Sequence, residues 1–380
     1  MYHACLVKVT IWCLCFAPIL VSCAGLPISG NLPPGSSITQ LSRIQDGAPF
    51  EPDPSGKQVA LARNGLTLLA VATGVGVQLS PDNPKVLAWA PDGSRLAAVF
   101  RHIRGSEVRI YATSGRILGA CVITGSVSAL VWRGEHEVLM TAVEVKEYSF
   151  GSNLVQALYR WDNGKPPVRV DLQNTTLMPR TRQAVGPELY RLFTLALSPY
   201  GDAIVYPQLH DPPAIAPNVR FKLRNLATGS EKDVATASLH SGGVIFAGGD
   251  DRLLYGDGES ETVLRAPWQE QNLAAFPGPG HSLAASGSGT TLLIDGRLFK
   301  GGRLLLSFPP DTSGSFSAGG SLLFLRRGEE LFLMTGLPVD PPPTIPSDIR
   351  GRFLTLRQWR SDGLMSPADF TRAVKQLGKP

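Results

Sequence analysis

The sequence predicts an all-β fold in which short four-stranded sheets repeat around a ring. Three observations predict it. An apolar strand, a turn bearing Gly or Asp, and a second apolar strand recur through most of the 380 residues. The copies return about every 40 residues, which is the length of four short strands with their turns. Proline-rich stretches without such copies bound the region on both sides, at residues 24–56 and 338–346. Sheets repeating on this spacing are the blades of a β-propeller, each burying its faces against its neighbours.

The clearest copy is VLAWAPDGSRLAAVF, residues 86–100. Others are VALARNGLTLLAVA from Val59, SALVWRGEHEVLMTA from Ser128 and LALSPYGDAIVYPQ from Leu195. Weaker ones begin at Gly243, Leu273 and Gly314. Aligned on the end of the first strand, they place Leu61, Trp89, Trp132, Leu197, Phe246, Ala275 and Phe316 in register, at spacings of 28, 43, 65, 49, 29 and 41. Seven blades are expected, and the two spacings under 30 leave six or eight open. The turn Ala90-Pro91-Asp92-Gly93 has its own logic. Proline fixes φ, aspartate caps its own turn, and glycine takes positive φ.

The copy around Trp89 resembles the S-P-D-G repeats of WD-like propellers such as the periplasmic Tol–Pal system propeller. The likeness is strong at Pro91-Asp92-Gly93, fair at Ser198-Pro199-Tyr200-Gly201 and degenerate elsewhere. A propeller domain is expected over 57–337.

The chain opens with Lys8 and an apolar run from Val9 to Val21, then Ser22-Cys23-Ala24-Gly25. Thirteen residues are too few to span a bilayer, which takes about 20. A charged start, a short apolar middle and a small-residue exit read as a secretory signal over 1–22. Leu20-Val21-Ser22-Cys23 resembles the bacterial lipobox. That resemblance implies cleavage before Cys23, a diacylglycerol on its thiol and an acyl chain, such as palmitate, on its new amino terminus. Several acyl chains supply the two signals that stable anchoring requires. Residues 23–56 are expected to be the anchor and a flexible tether, rich in Pro, Gly and Ser. Ala24 after the cysteine implies, by the usual sorting rule of Gram-negative lipoproteins, an outer-membrane address facing the periplasm.

Cleavage at Cys23 leaves Cys121 as the one unmodified thiol, so no intramolecular disulfide is expected. Cys121 lies in an apolar strand-like run and reads as structural. The formal net charge is +5, yet residues 349–380 alone hold seven basic and two acidic residues, which is also +5. The basic character belongs to the tail, so the body gives no reason to expect nucleic-acid binding.

That tail follows a proline-rich linker at 338–348. Phe353, Leu356 and Trp359 recur as on one helix face, and Gly363 suits a helix stop. Ser366 is a good N-cap, Pro367 fits the first helical position, and Phe370, Val374 and Leu377 form a second apolar stripe. A helical hairpin over 349–380 is expected. It resembles the SHOCT (short C-terminal) domain at Leu356, Gly363, Ser366, Asp369, Phe370, Lys375 and Leu377. So small a hairpin needs a surface to pack on: the propeller, a partner, or its own copy in a self-association.

Signals for catalysis are weak. Gly280-His281-Ser282-Leu283-Ala284 approaches a nucleophile elbow, but a strand follows where a helix is required. The histidines left after cleavage, His102, His136, His210, His240 and His281, are scattered, without paired metal-ligand spacing. Asp257-Gly258-Glu259 reads as an acidic turn. No catalytic residue, metal or cofactor is assigned.

The expected function is therefore binding: an envelope lipoprotein that serves as an interaction scaffold for an unknown envelope protein. Its alternatives are a propeller enzyme of hydrolase or lactonase type, and a sensor of a small ligand or glycan. A candidate partner site follows from the blade pattern. If strands A to D run in order, the B–C and D–A connections share one face. The 65-residue spacing before Leu197 places a long D–A connection at residues 173–191, and a long B–C loop follows at 209–218. Together with the B–C loop of the preceding blade they offer Arg180, Arg182, Arg191, His210, Asp211, Tyr148 and Phe150. Arginine and aromatic residues are enriched at binding hot spots.

Overall fold

A computed structural model describes residues 26–148, 151–179, 195–198, 203–209, 218–226, 228–238, 243–248, 252–266, 270–317 and 319–337. Among them, seven four-stranded antiparallel sheets form the blades. The innermost strands, A, are Phe50–Pro52, Val86–Trp89, Ser126–Arg133, Ala196–Leu197, Val244–Phe246, Leu283–Ala285 and Ser313–Phe316. Strands B, C and D follow each in sequence order, so blades 1 to 6 are plain meanders.

Blade 7 is different. Its A, B and C strands come from the end of the described chain, and its outermost strand is Ser37–Arg43. Ser37 pairs with Thr335 and Arg43 with Glu330. One sheet thus holds both ends of the described chain and closes the ring. Earlier residues join too. Ser29 exchanges both backbone hydrogen bonds with Ser307, and Leu26 is buried. The flexible tether expected over 23–56 is therefore corrected from Leu26 onward. Its sparse apolar residues did not advertise a strand, but an edge strand needs only one paired side and a few contacts, such as Ile38 against blade 7.

Seven hydrophobic clusters occupy the seven gaps between neighbouring blades. The cluster of Ala60, Leu68, Trp89 and Leu96 joins blades 1 and 2, and that of Val99, Ile110, Val138 and Trp161 joins blades 2 and 3. Ile44, Val59, Leu61, Phe324 and Leu333 close the circle between blades 7 and 1. Two tryptophans add directional bonds. Trp89 Nε1 donates to the Glu51 carbonyl at 3.0 Å, and Trp132 Nε1 to the Ala88 carbonyl at 2.9 Å. Each spans from one A strand to the preceding one, and both rings are buried.

Six of the seven A–B turns share one device. The residue after strand A donates its N–H to the carbonyl five positions on: Asp53 to Gln58, Ala90 to Arg95, Ser198 to Ala203, Ala247 to Arg252, Ser286 to Thr291, Ser317 to Leu322. Where that residue is Ser or Asp, its side-chain oxygen also accepts the N–H five positions on. These six residues are all buried. Asp92 accepts from the Ser94 N–H at 3.0 Å, and Gly93 has φ 72°, as the turn chemistry requires. Gly248 and Gly289 bring the turns of blades 5 and 6 into backbone contact, where a Cβ on either would strike the other chain segment.

Two alignments differ from the sequence expectation. Leu61 lies in strand B of blade 1 (Gln58–Ala62), and Ala275 in strand D of blade 5 (Gln271–Pro277). The true A–B turns follow Pro52 and Ala285, and this placement removes both spacings under 30. A B–C hairpin, or a D strand running into the next A strand, reads in sequence like an A–B hairpin. The leader 1–22, Cys23, the linker 338–348 and the helical hairpin 349–380 lie outside the described residues.

Candidate functional site

Sequential antiparallel strands put the A–B and C–D turns on one face and the B–C and D–A connections on the other. The second face carries the features that differ between blades. In blade 3, strands B (Glu137–Tyr148) and C (Gly151–Asp162) are 12 residues each, and strand D reaches Pro179. Strand A pairs only as far as Val143. Residues 144–148 and 151–155 continue paired to each other, and 174–179 pair with strand C. This three-stranded wing rises about 16 Å beyond strand A, at roughly 3.3 Å per residue.

The wing corrects the sequence expectation for 173–191. Residues 173–179 are strand, not connection, because the lengthened B–C hairpin offers them a partner; Thr175 and Thr176 also suit a strand. Tyr148 sits at the wing tip opposite Gly151, which in turn opposes Pro179. Arg180, Arg182, Arg191, His210, Asp211 and Phe150 themselves lie outside the described residues. Strand B of blade 4 ends at Leu209 opposite Val219, so its connection leaves on the same face as the wing.

Blade 2 adds an apolar tip on this face. Ile103 is 94% exposed in the B–C turn, between Arg101 and Arg104. The sequence gave no reason to single it out, because a hairpin tip is recognised only once the register is known.

At the centre of the ring is a cavity of about 600 Å³. It is lined by strands A of blades 5, 6 and 7 along their whole length, from Val244 to Phe246, Leu283 to Ala285 and Ser313 to Phe316, and by Phe50, Glu51, Ala129 and Leu195 from blades 1, 3 and 4. Its wall is polar and apolar in nearly equal measure, with Phe246 and Phe316 among the apolar residues and Ser282, Ser313 and Ser315 among the polar ones. Glu51 is the one carboxylate among the described lining residues, and His281 the one imidazole. Protein surrounds the Glu51 side chain, although it keeps some contact with channel solvent. That desolvation pushes its carboxyl up to about 8. The signal for this site was the turn Pro52-Asp53-Pro54-Ser55-Gly56, a variant of the A-P-D-G turn that would have placed Glu51 on strand A.

Other candidates resolve as structure. His281-Ser282 lies in the D–A connection before the strand Leu283–Ala285, with no helix after it. Asp257 Oδ1 accepts the N–H groups of Glu259, Ser260 and Glu261, which makes it a turn cap with a lowered carboxyl. Cys121 sits half-buried on an outer strand, its thiol pushed up to about 12, mainly by burial. A thiol so protonated is a poor nucleophile. Among the described residues, no group of three or more His, Cys, Asp or Glu is placed to hold a metal.

Comparison with known proteins identifies the fold and nothing narrower. No protein family and no curated protein matches the sequence. Among solved structures, 808 chains match, so the architecture is widely shared. A chain of a mitotic checkpoint complex aligns at a TM-score of 0.56 and 15% identity, covering 89% of this chain and 100% of that one. Kuenenia stuttgartiensis hydrazine synthase aligns at 0.53 and 13%, covering 79% and 97%. U3-55K aligns at 0.50 and 14%, covering 79% and 98%. The chain is a seven-bladed propeller with WD-like structural neighbours.

Proposed function

We infer that this chain is a lipid-anchored envelope protein whose propeller acts as a protein-interaction scaffold through its D–A/B–C face. The observation that carries the reading is the asymmetry of that face. The wing of blade 3, the end of the blade 4 strand at Leu209 and the exposed Ile103 all belong to it. Insertions on a rigid scaffold are where binding residues concentrate. One similar chain comes from a mitotic checkpoint complex and another from hydrazine synthase, so the fold itself serves assembly as well as chemistry. The chemistry of the lining favours binding here. It offers one carboxylate in a wall of mixed polarity and no hydrogen-bonded nucleophile–base pair among the described residues.

Anchoring rests on Leu20-Val21-Ser22-Cys23. The buried Leu26 and the Ser29–Ser307 pairing add a geometric consequence. From Cys23 to Leu26 the chain spans at most about 11 Å. A lipidated Cys23 would hold the rim of blade 6 against the headgroups rather than on a long leash. The outer-membrane address and the self-association of the tail belong to the same proposal. The test is envelope fractionation followed by cross-linking pull-down, comparing the wild type with a double charge reversal of Arg180 and Arg182. Loss of a specific partner from the folded variant supports the reading; unchanged recovery of every partner refutes the site.

A further inference from the structure

We propose that the central cavity is a binding site for a small organic cation with an apolar body, with Glu51 as the carboxylate that recognises it. Four observations converge. The cavity, at about 600 Å³, falls in the range of small-molecule sites, about 300–1,000 Å³. It is bounded by the half-buried rings of Phe50, Phe246 and Phe316. Aromatic faces suit both an apolar body and a cationic head. The Glu51 carboxyl makes no hydrogen bond or ion pair with a described residue. No lysine or arginine occurs among the described lining residues, so nothing there competes with an incoming cation.

The energetic argument favours a cation over other ligands. A carboxylate surrounded by protein and left unpaired is costly, so the free protein keeps the Glu51 carboxyl protonated up to about pH 8, and a bound cation would favour the ionised form. Burial alone accounts for its raised proton affinity, with no neighbouring charge contributing. An ammonium would supply the missing charge partner and gain more from it than in bulk water. An anion would meet Glu51 itself, with only His281 available to offset it. A metal ion would want three or more protein ligands, which the described residues do not assemble.

The strand explains why Glu51 stands where it does. Phe50–Pro52 is a three-residue A strand, and the residues on either side of Glu51 anchor it in the fold. Phe50 packs into the cluster between blades 7 and 1, and Pro52 is buried at the A–B turn. The Glu51 carbonyl is held by Trp89 Nε1, which fixes the backbone from which the side chain extends. A carboxylate on a braced strand is preorganised for recognition.

The site does not depend on the anchor or on the partner face, so its failure would leave both standing. The test is isothermal titration calorimetry of the purified chain with three probes of similar size. These are 2-phenylethylamine, neutral 2-phenylethanol and anionic 3-phenylpropanoate. The amine should bind at least about tenfold more tightly than the alcohol, and the propanoate should not bind. Glu51→Gln should remove the preference for the amine while leaving the melting temperature at or above that of the wild type. Benzyltrimethylammonium, whose charge does not titrate, should bind more tightly as pH rises from 6 to 9, because Glu51 ionises across that window, and Glu51→Gln should lose that trend; His281 is the other ionisable side chain on the described lining. Equal affinity for amine and alcohol, an unchanged preference in Glu51→Gln, or no saturable binding of either cation would overturn the proposal.

Discussion

Glu51→Gln should make the protein more stable at alkaline pH and flatten its stability profile. In the wild type, burial raises the carboxyl from 4.5 to about 8. Below pH 4.5 the group is protonated in both folded and unfolded chains, and the folded state carries no charge cost. Between pH 4.5 and 8 the unfolded chain releases its proton while the folded chain retains it, so stability falls as pH rises. Above pH 8 both states are ionised and the loss is complete. Each tenfold change in proton affinity is worth about 1.4 kcal/mol, so the whole interval would reach about 5 kcal/mol. Water shares the channel and screens the charge, which reduces the expected difference to roughly 2 kcal/mol. For a body of this size that is a melting-temperature difference of about 3 °C between variant and wild type at pH 9, vanishing near pH 4. Differential scanning calorimetry across pH 4 to 9, on both proteins, measures it. The comparison cancels every other titrating group. Parallel curves for the two proteins would refute the argument that Glu51 is buried without a partner.

Three further outcomes follow from the fold and the anchor. Trp132→Phe removes the donor to the Ala88 carbonyl and leaves part of a buried ring volume empty, and should cost about 2–3 kcal/mol, read as a lowered chemical denaturation midpoint. A loss below about 0.5 kcal/mol would mean the blade-to-blade bond is not formed. Deleting residues 26–43 should open the ring and lower the melting temperature steeply, whereas deleting 338–380 should leave it nearly unchanged; the reverse order would show that the tail, not the first strand, closes the core. Cys23→Ala should release the protein from membranes on fractionation, and retention with a cleaved leader would refute lipidation at that residue.

The sequence made the propeller legible because the A–B turn leaves a chemical trace. Pro91-Asp92-Gly93 is readable because each residue does one conformational job there. The same turn written as Asp53-Pro54-Ser55-Gly56 or Ser286-Gly287-Ser288-Gly289 conserves the backbone bond and loses the signature. Those two blades were therefore misaligned by sequence, and Glu51 was missed with them. The closing strand Ser37–Arg43 was missed for another reason. Its partner, the strand Glu330–Thr335, lies at the far end of the described chain, and a pairing so distant leaves no local pattern. The wing of blade 3 was half legible. The excess length was evident, but a polar stretch such as Asn174-Thr175-Thr176 reads as loop until its partner strand is known to continue.

Photo-cross-linking in living cells tests the scaffold claim most directly. A photoreactive residue at position 103 or 148 stands on the D–A/B–C face, and one at exposed Ser114, in the C–D turn of blade 2, stands on the opposite face. The account predicts a discrete protein adduct from 103 and 148 in the membrane fraction and none from 114. Adducts from 114 alone, or the same adducts from both faces, would contradict it.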